Sequence, residues 1–125
     1  MWTLHLGAAI VVAWGIAHIV PTKAVVRGFG PISPDNRRII TMEWVAEGLA
    51  LIFVGLITLI VAMSAAPGDA TALLVFRLCA AALSVLAIWT LMAGFQTSVL
   101  PIRICPIVLM TAAALILCGT VGWSR

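Results

Sequence analysis

The sequence predicts an all-α integral membrane protein: a single domain, residues 1–125, built as a bundle of four transmembrane helices with short loops. The first observation behind this prediction is composition, since 64% of the residues are hydrophobic, only 9% are charged, and the mean hydropathy is +1.25. A soluble domain of this size has too little interior to bury so much apolar surface. The second is that the apolar residues form four runs, each long enough to cross about 30 Å of hydrocarbon as a helix.

The third observation is that these runs of Ala, Leu, Ile and Val do not alternate with polar residues, which argues against membrane-spanning strands. The predicted spans are Trp2–Val20, Ile39–Ala65, Ala70–Phe95 and Ile102–Trp123. No Lys or Arg precedes the first run and no small-residue cleavage site follows it, so we expect this span to be retained rather than removed as a signal peptide.

Proline, serine and aspartate mark where the helices begin. Ser33 followed by Pro34 has the pattern of an N-cap and a first helical residue, so the second helix is expected to begin near Pro34. Asp69 is the corresponding N-cap for the third helix. The fourth helix begins between Pro101 and Pro106, and Pro106 is expected to kink it.

Tryptophans are expected at two depths. Trp2, Trp44 and Trp123 fall near span ends, where indole prefers the headgroup layer. Trp14 and Trp89 lie deeper and are expected to pack between helices.

Four glycines predict close helix contacts. Gly7, Gly15, Gly48 and Gly55 provide more close-approach surface than four helices obviously need. We therefore expect a homo-oligomer or a subunit of a larger membrane complex, with membrane lipids as the other partners.

The three cysteines are interpreted as small apolar residues that fill space. Cys79, Cys105 and Cys118 all fall within spans. Cys105 and Cys118 would lie about 20 Å apart along one helix, too far for a disulfide bond. No Cys/His spacing typical of a metal site is present, and the sequence identifies no cofactor.

Basic residues predict the orientation of the chain in a cell (inner) membrane. The first connection carries Lys23, Arg27, Arg37 and Arg38. The third connection leads into Arg103, whereas the opposite side has Arg77, Arg125 and the acidic Asp69. The positive-inside rule then predicts that the first and third loops are cytoplasmic and that both termini face outward.

Three ionisable residues are the candidate catalytic or proton-handling group. His18 ends the first span, and Glu43 and Glu47 lie one turn apart on one face of the second helix. Glu47 is the deepest acidic residue, and facing lipid would be costly for it, so we expect it to face the bundle interior.

Several interpretations of these residues remain open. They could handle protons or contact a substrate; they could bind a metal ion through two carboxylates and an imidazole. The structural explanation is that Glu43 or Glu47 pairs with Arg103 while His18 bonds a carbonyl group.

The basic loop is the candidate for contacts with a substrate or a lipid headgroup. The loop carries Lys23, Arg27, Arg37 and Arg38, and Arg103, which follows the third connection, is a candidate with them. Each would attract anionic lipid by about 1 kcal/mol, and Arg27, the turn at Gly28–Gly30 and Arg37 could hold a phosphate group. The simplest explanation is that these charges set topology. Because the loop lies against a membrane, we do not expect it to bind nucleic acid.

Three classes of function are compatible with this sequence. The leading hypothesis is a non-catalytic membrane subunit or lipid-binding scaffold acting in an oligomer or complex. A small oligomeric channel or proton-coupled transporter using Glu47 is the first alternative. A membrane enzyme acting on lipid or quinone with His18, Glu43 and Glu47 is the second.

Overall fold

The structure is a computed structural model that describes residues 1–123, so Arg125, which entered the orientation argument, lies outside the described residues. Its five helices are α1 (Trp2–Ile19), α2 (Thr22–Gly28), α3 (Pro34–Ser64), α4 (Ala70–Gly94) and α5 (Leu100–Trp123). All but α2 are long and apolar enough to cross a membrane, and residues 1–123 contain no strand. The predicted all-helical bundle with four membrane-spanning helices is confirmed.

Side-chain caps fix the starts of two helices. The Ser33 hydroxyl accepts a hydrogen bond from the Asn36 amide at 3.2 Å, and α3 begins at Pro34 as predicted. The Asp69 carboxylate accepts a hydrogen bond from the Ala72 amide at 2.7 Å at the start of α4. These bonds satisfy amide groups that the first helical turn leaves without partners.

The first connection contains a helix that the sequence interpretation did not include. Val26 of α2 is buried, whereas Lys23 and Arg27 are exposed, so this short helix is amphipathic. It packs against α3. After α2, Gly30 has a φ of 71°, which permits the turn toward α3.

The central helix of the bundle is α1, which packs against both α3 and α5, and α5 in turn packs against α4. The contact between α3 and α4 is much sparser, although these two helices are consecutive in sequence. The spatial order is therefore α3, α1, α5, α4, and the α3–α4 side of the bundle is its least closely packed side.

The interhelical glycines are used inside this bundle. A Cβ added to Gly15 would lie 2.7 Å from the Gly48 carbonyl oxygen, and one added to Gly55 would lie 2.9 Å from the Ala8 oxygen. Gly7 is similarly close to α5. These four glycines therefore do not supply free surface for other protomers, contrary to what the sequence suggested. Those of α1 face α3 or α5, and those of α3 face α1. The predicted oligomer is not tested by this finding.

The deeper tryptophans behave differently from each other. Trp14 is partly buried and packs against the core, whereas Trp89 is 65% exposed, so the prediction that Trp89 packs between helices is wrong. Trp123, expected in the headgroup layer, is buried and meets the Phe76 ring edge-on at 5.2 Å.

Arg77 is exposed on α4 and thus does not face the bundle interior.

Gly15→Ala should destabilise the bundle, because the new methyl group would meet backbone atoms of α3 that cannot move independently. Overpacking of this kind costs about 1–3 kcal/mol. The melting temperature in mild detergent should fall for Gly15→Ala. Gly28→Ala is the matched control, since a Cβ there meets nothing within 4 Å. Equal melting temperatures for both variants would contradict the close α1–α3 contact.

Candidate functional site

A cavity of about 460 Å³ lies at the end of the bundle where α1 ends and α5 begins. Residues of all five helices line it, and its walls are largely apolar. The side chains with polar atoms that line it are those of Trp14, His18, Trp44, Glu47, Thr90 and Cys105. A mostly apolar cavity with a few polar groups is the usual form of a small-molecule site.

Trp44 positions His18 in this cavity. The two rings stack with their centroids 4.1 Å apart and an interplanar angle of 14°. The Trp44 indole nitrogen also donates a hydrogen bond to the His18 carbonyl oxygen at 2.7 Å. Carbonyl groups in the last turn of a helix have no partner within the helix, so this bond both satisfies the end of α1 and ties it to α3.

Glu47 faces the His18 imidazole from the next turn of α3. The distance from His18 Nε2 to Glu47 Oε2 is 3.6 Å, and the side chains are 9% and 35% exposed respectively. This separation is too long for a direct hydrogen bond. His18 Nε2 is buried and has no hydrogen-bond partner among the described residues. The site thus holds a carboxylate and an unsatisfied imidazole nitrogen side by side.

Other polar groups of the cavity have partners. The Trp14 indole nitrogen donates to Cys105 Sγ at 3.4 Å, and the Thr90 hydroxyl donates to the Leu86 carbonyl oxygen at 2.8 Å. A role for Cys105 in a site was missed by the sequence interpretation, which treated it as a space-filling residue. Its place two residues after Arg103, near the predicted depth of His18, was the available signal.

A second recess lies beside the cavity on the α3–α4 side. We call it the α3–α4 groove; its lining includes Ile39, Glu43 and Ala50 of α3 and Leu86 of α4. Trp44 and Glu47 line both the groove and the cavity, so they stand between the two. This groove lies on the α3–α4 side, where the bundle is least closely packed.

The structure brings together two of the three candidate catalytic residues. His18 and Glu47 line the cavity, whereas Glu43 is exposed and lines only the groove. Among residues 1–123, no three His, Cys, Asp or Glu side chains are grouped closely enough to hold a metal ion. The three ligands that the metal alternative would use, His18 and both glutamates, are thus not grouped among these residues.

Arg103 does not pair with either glutamate. Its guanidinium group lies 4.9 Å from the centre of the Phe95 ring, in a cation–π contact. In the described part of the chain the close contacts between basic and acidic side chains are His18 with Glu47, which is an ion pair only when the imidazole is protonated, and Arg38 with Asp35. The predicted pairing of Arg103 with Glu43 or Glu47 is wrong because α1, rather than α5, faces Glu47.

The basic loop residues remain outside the cavity. Lys23, Arg27, Arg37 and Arg38 are all exposed and, like Arg103, none of them lines the cavity. The Arg27 guanidinium group donates to the Lys23 carbonyl oxygen at 3.2 Å, and Arg38 meets Asp35 at 3.4 Å. Contacts of these residues with lipid headgroups stay a prediction.

Comparison with protein-family models, with curated proteins and with solved structures finds no match for this chain. The chain's own residues and their arrangement are therefore the basis for inferring its function.

The His18–Glu47 contact predicts a measurable coupling in stability. The effects of His18→Phe, which keeps a ring against Trp44, and of Glu47→Gln on the melting temperature should not add. Partly exposed pairs of this kind couple by about 0.5–1 kcal/mol. The measurement is a double-mutant cycle in lipid discs.

Arg103→Gln combined with Glu47→Gln is the matched control cycle, and its effects should add because the two side chains are not paired. Additive effects for His18→Phe with Glu47→Gln, or coupling between Arg103 and Glu47, would contradict the observed pairing.

Proposed function

We propose that this protein is a non-catalytic membrane protein that binds an amphiphile from the bilayer, as a lipid-binding subunit or scaffold does. The polar head of the amphiphile lies against His18 and Glu47, and its apolar part contacts the walls of the cavity. The observation that carries the proposal is His18, which lines an apolar cavity and whose buried Nε2 has no hydrogen-bond partner among the described residues. An unsatisfied buried polar group is costly, and a bound head group would supply its missing hydrogen bond.

The position of the cavity supports a ligand that comes from the membrane. Its walls are apolar, and the neighbouring α3–α4 groove lies on the loosely packed side of the bundle. An amphiphile dissolved in the bilayer could reach Glu47 between these helices without crossing the headgroup layer. Lys23 and Arg27 of α2 would attract anionic lipids to the same end of the bundle.

The same geometry gives less support to catalysis. The enzyme hypothesis grouped His18 with both glutamates, but Glu43 does not line the cavity. Proton-coupled transport stays the second candidate, because Glu47 lines both the cavity and the α3–α4 groove and could exchange protons between them.

We also propose that this end of the bundle faces the cytoplasm of a cell with an inner membrane, so that both termini face outward. The support is the set of exposed basic residues at this end, which lie in α2 and in the first turns of α3 and α5: Lys23, Arg27, Arg37, Arg38 and Arg103.

Filling the cavity should abolish amphiphile binding. Ala17 lines the cavity, so Ala17→Phe should strongly reduce photolabelling of cavity residues by long-chain probes that carry a diazirine. The probes are hexadecanol, palmitate and hexadecylamine derivatives added to the protein in lipid discs, and the labelled residues are mapped by mass spectrometry.

Ala13→Phe is the matched control for this experiment. Ala13 is exposed one turn earlier on α1 and does not line the cavity, so labelling should persist in this variant. If none of the three probes labels the cavity in the parent protein, or if Ala17→Phe leaves labelling intact, the proposed function is wrong.

The orientation is tested by labelling single cysteines in intact cells after removal of the native cysteines. A cysteine at Ser33 should resist a membrane-impermeant thiol reagent, and a cysteine at Ala66, which is exposed in the opposite connection, should react. The reverse pattern would place the basic loop outside the cell.

A further inference from the structure

The spacing of two atoms in the cavity restricts the head group of the ligand. His18 Nε2 beside a carboxylate is favoured as a hydrogen-bond donor, and Glu47 Oε2 is an acceptor. They lie 3.6 Å apart, too far to bond each other directly. A single oxygen atom placed about 2.8 Å from each would form two hydrogen bonds of ordinary length. Such an oxygen must accept one hydrogen bond and donate another.

On this basis we propose that the ligand is a neutral amphiphile with a hydroxyl head group, such as a long-chain alcohol. Its oxygen accepts a hydrogen bond from His18 Nε2, and its proton is donated to Glu47 Oε2. This inference rests on the proposed function and adds the chemical class of the ligand. Both hydrogen bonds would involve a charged or buried group, which makes them stronger than those of a hydroxyl group in water.

The charges around the cavity disfavour an anionic head, and the donor–acceptor pair of His18 and Glu47 favours a hydroxyl head over an ammonium head. The side chains that line the cavity include the carboxyl group of Glu47 and the imidazole of His18, and no Lys or Arg is among them. A phosphate or carboxylate head would lie beside the Glu47 carboxylate without a cation of its own to pair with. An ammonium head could pair with the Glu47 carboxylate, but with His18 Nε2 as a donor it would leave the Nε2 hydrogen without an acceptor.

Water alone does not explain the size and lining of this cavity. One water molecule could bridge His18 and Glu47, but it takes up only about 30 Å³ of liquid volume. The cavity measures about 460 Å³, and most of its lining is apolar. An apolar chain attached to the bridging oxygen would occupy the remaining space and remove that lining from contact with water.

Competition between amphiphiles with one chain and different heads tests the proposal. Diazirine-bearing hexadecanol labels the parent protein in lipid discs, and unlabelled hexadecanol, palmitate, hexadecylamine and hexadecane compete with it. Hexadecanol should compete at concentrations about tenfold or more lower than the other three, which is the ratio expected for losing one hydrogen bond to a charged partner.

Two variants separate the contributions of the two side chains. In Glu47→Gln the negative charge is removed, so palmitate should compete nearly as well as hexadecanol. In His18→Phe the ring that stacks on Trp44 is kept but the donor is lost, so hexadecanol should lose part of its advantage over hexadecane and keep the part that its hydrogen bond to Glu47 supplies. Glu43→Gln is the matched control, since Glu43 is exposed outside the cavity, and it should leave the order of competitors unchanged.

Each outcome decides between the two proposals. If hexadecanol, palmitate and hexadecylamine compete equally and all three compete better than hexadecane, the hydroxyl proposal is overturned while amphiphile binding stands. If palmitate or hexadecylamine competes best in the parent protein, the ligand is charged and the proposal is also overturned. If neither hexadecanol nor any other probe labels cavity residues, the proposed function itself fails. Thermal melting of each variant establishes that it remains folded.

Discussion

The close approach of α1 and α3 is the contact on which the site depends. Gly15 and Gly48 let the two backbones come near enough that a single added methyl group would collide with the opposite helix. This approach fixes the register of the pair, so that the last turn of α1 lies beside Trp44 and Glu47. In a bilayer, packing of this kind is a main source of helix association, because lipid tails are as apolar as the side chains they contact. The candidate site thus follows from the same contact that holds the bundle together.

A different consequence follows from the weak contact between α3 and α4. These helices are joined by a short turn at one end, yet α1 and α5 lie between them for most of the bundle. The site is therefore rigid where His18 is stacked and bonded through Trp44, and open where Glu47 borders the α3–α4 groove. A binding site with one fixed wall and one loosely packed wall can hold a polar head in place while tolerating chains of different length or shape.

Local signals in the sequence predicted the helices well, whereas contacts between helices were harder to predict. Ser33 and Asp69 act as caps because their side chains bond amides only three residues away, so the surrounding fold is not needed to recognise them. The α2 helix was missed because it is short, follows Pro21 directly and ends at Gly28 just before Gly30 and Pro31, and these residue types are typical of turns.

The position of each residue along its predicted span was enough to place His18 and Glu47 at the same depth in the membrane. Which side chains touch each other depends on the order of the helices around the bundle, and the depth does not reveal that order. The sequence interpretation considered Arg103 as a partner for Glu47 because both lie near the same membrane face. In the structure α1 lies between α3 and α5, so Glu47 meets His18 while Arg103 meets Phe95. The glycines were misassigned for the same reason, since their spacing reveals close packing without revealing which helix approaches.

The unequal lengths of α1 and α3 have a consequence for the membrane around the protein. Helix α1 has 18 residues and is about 27 Å long, whereas α3 has 31 residues and is about 46 Å long. The length of α1 is slightly less than the average thickness of the hydrocarbon layer. His18 is one residue from the end of this helix. A thin bilayer would leave the imidazole at the boundary with the headgroups, and a thick one would draw it into hydrocarbon or compress the lipid next to α1. Hydrophobic mismatch thereby links the polarity of the cavity to the thickness of the surrounding bilayer.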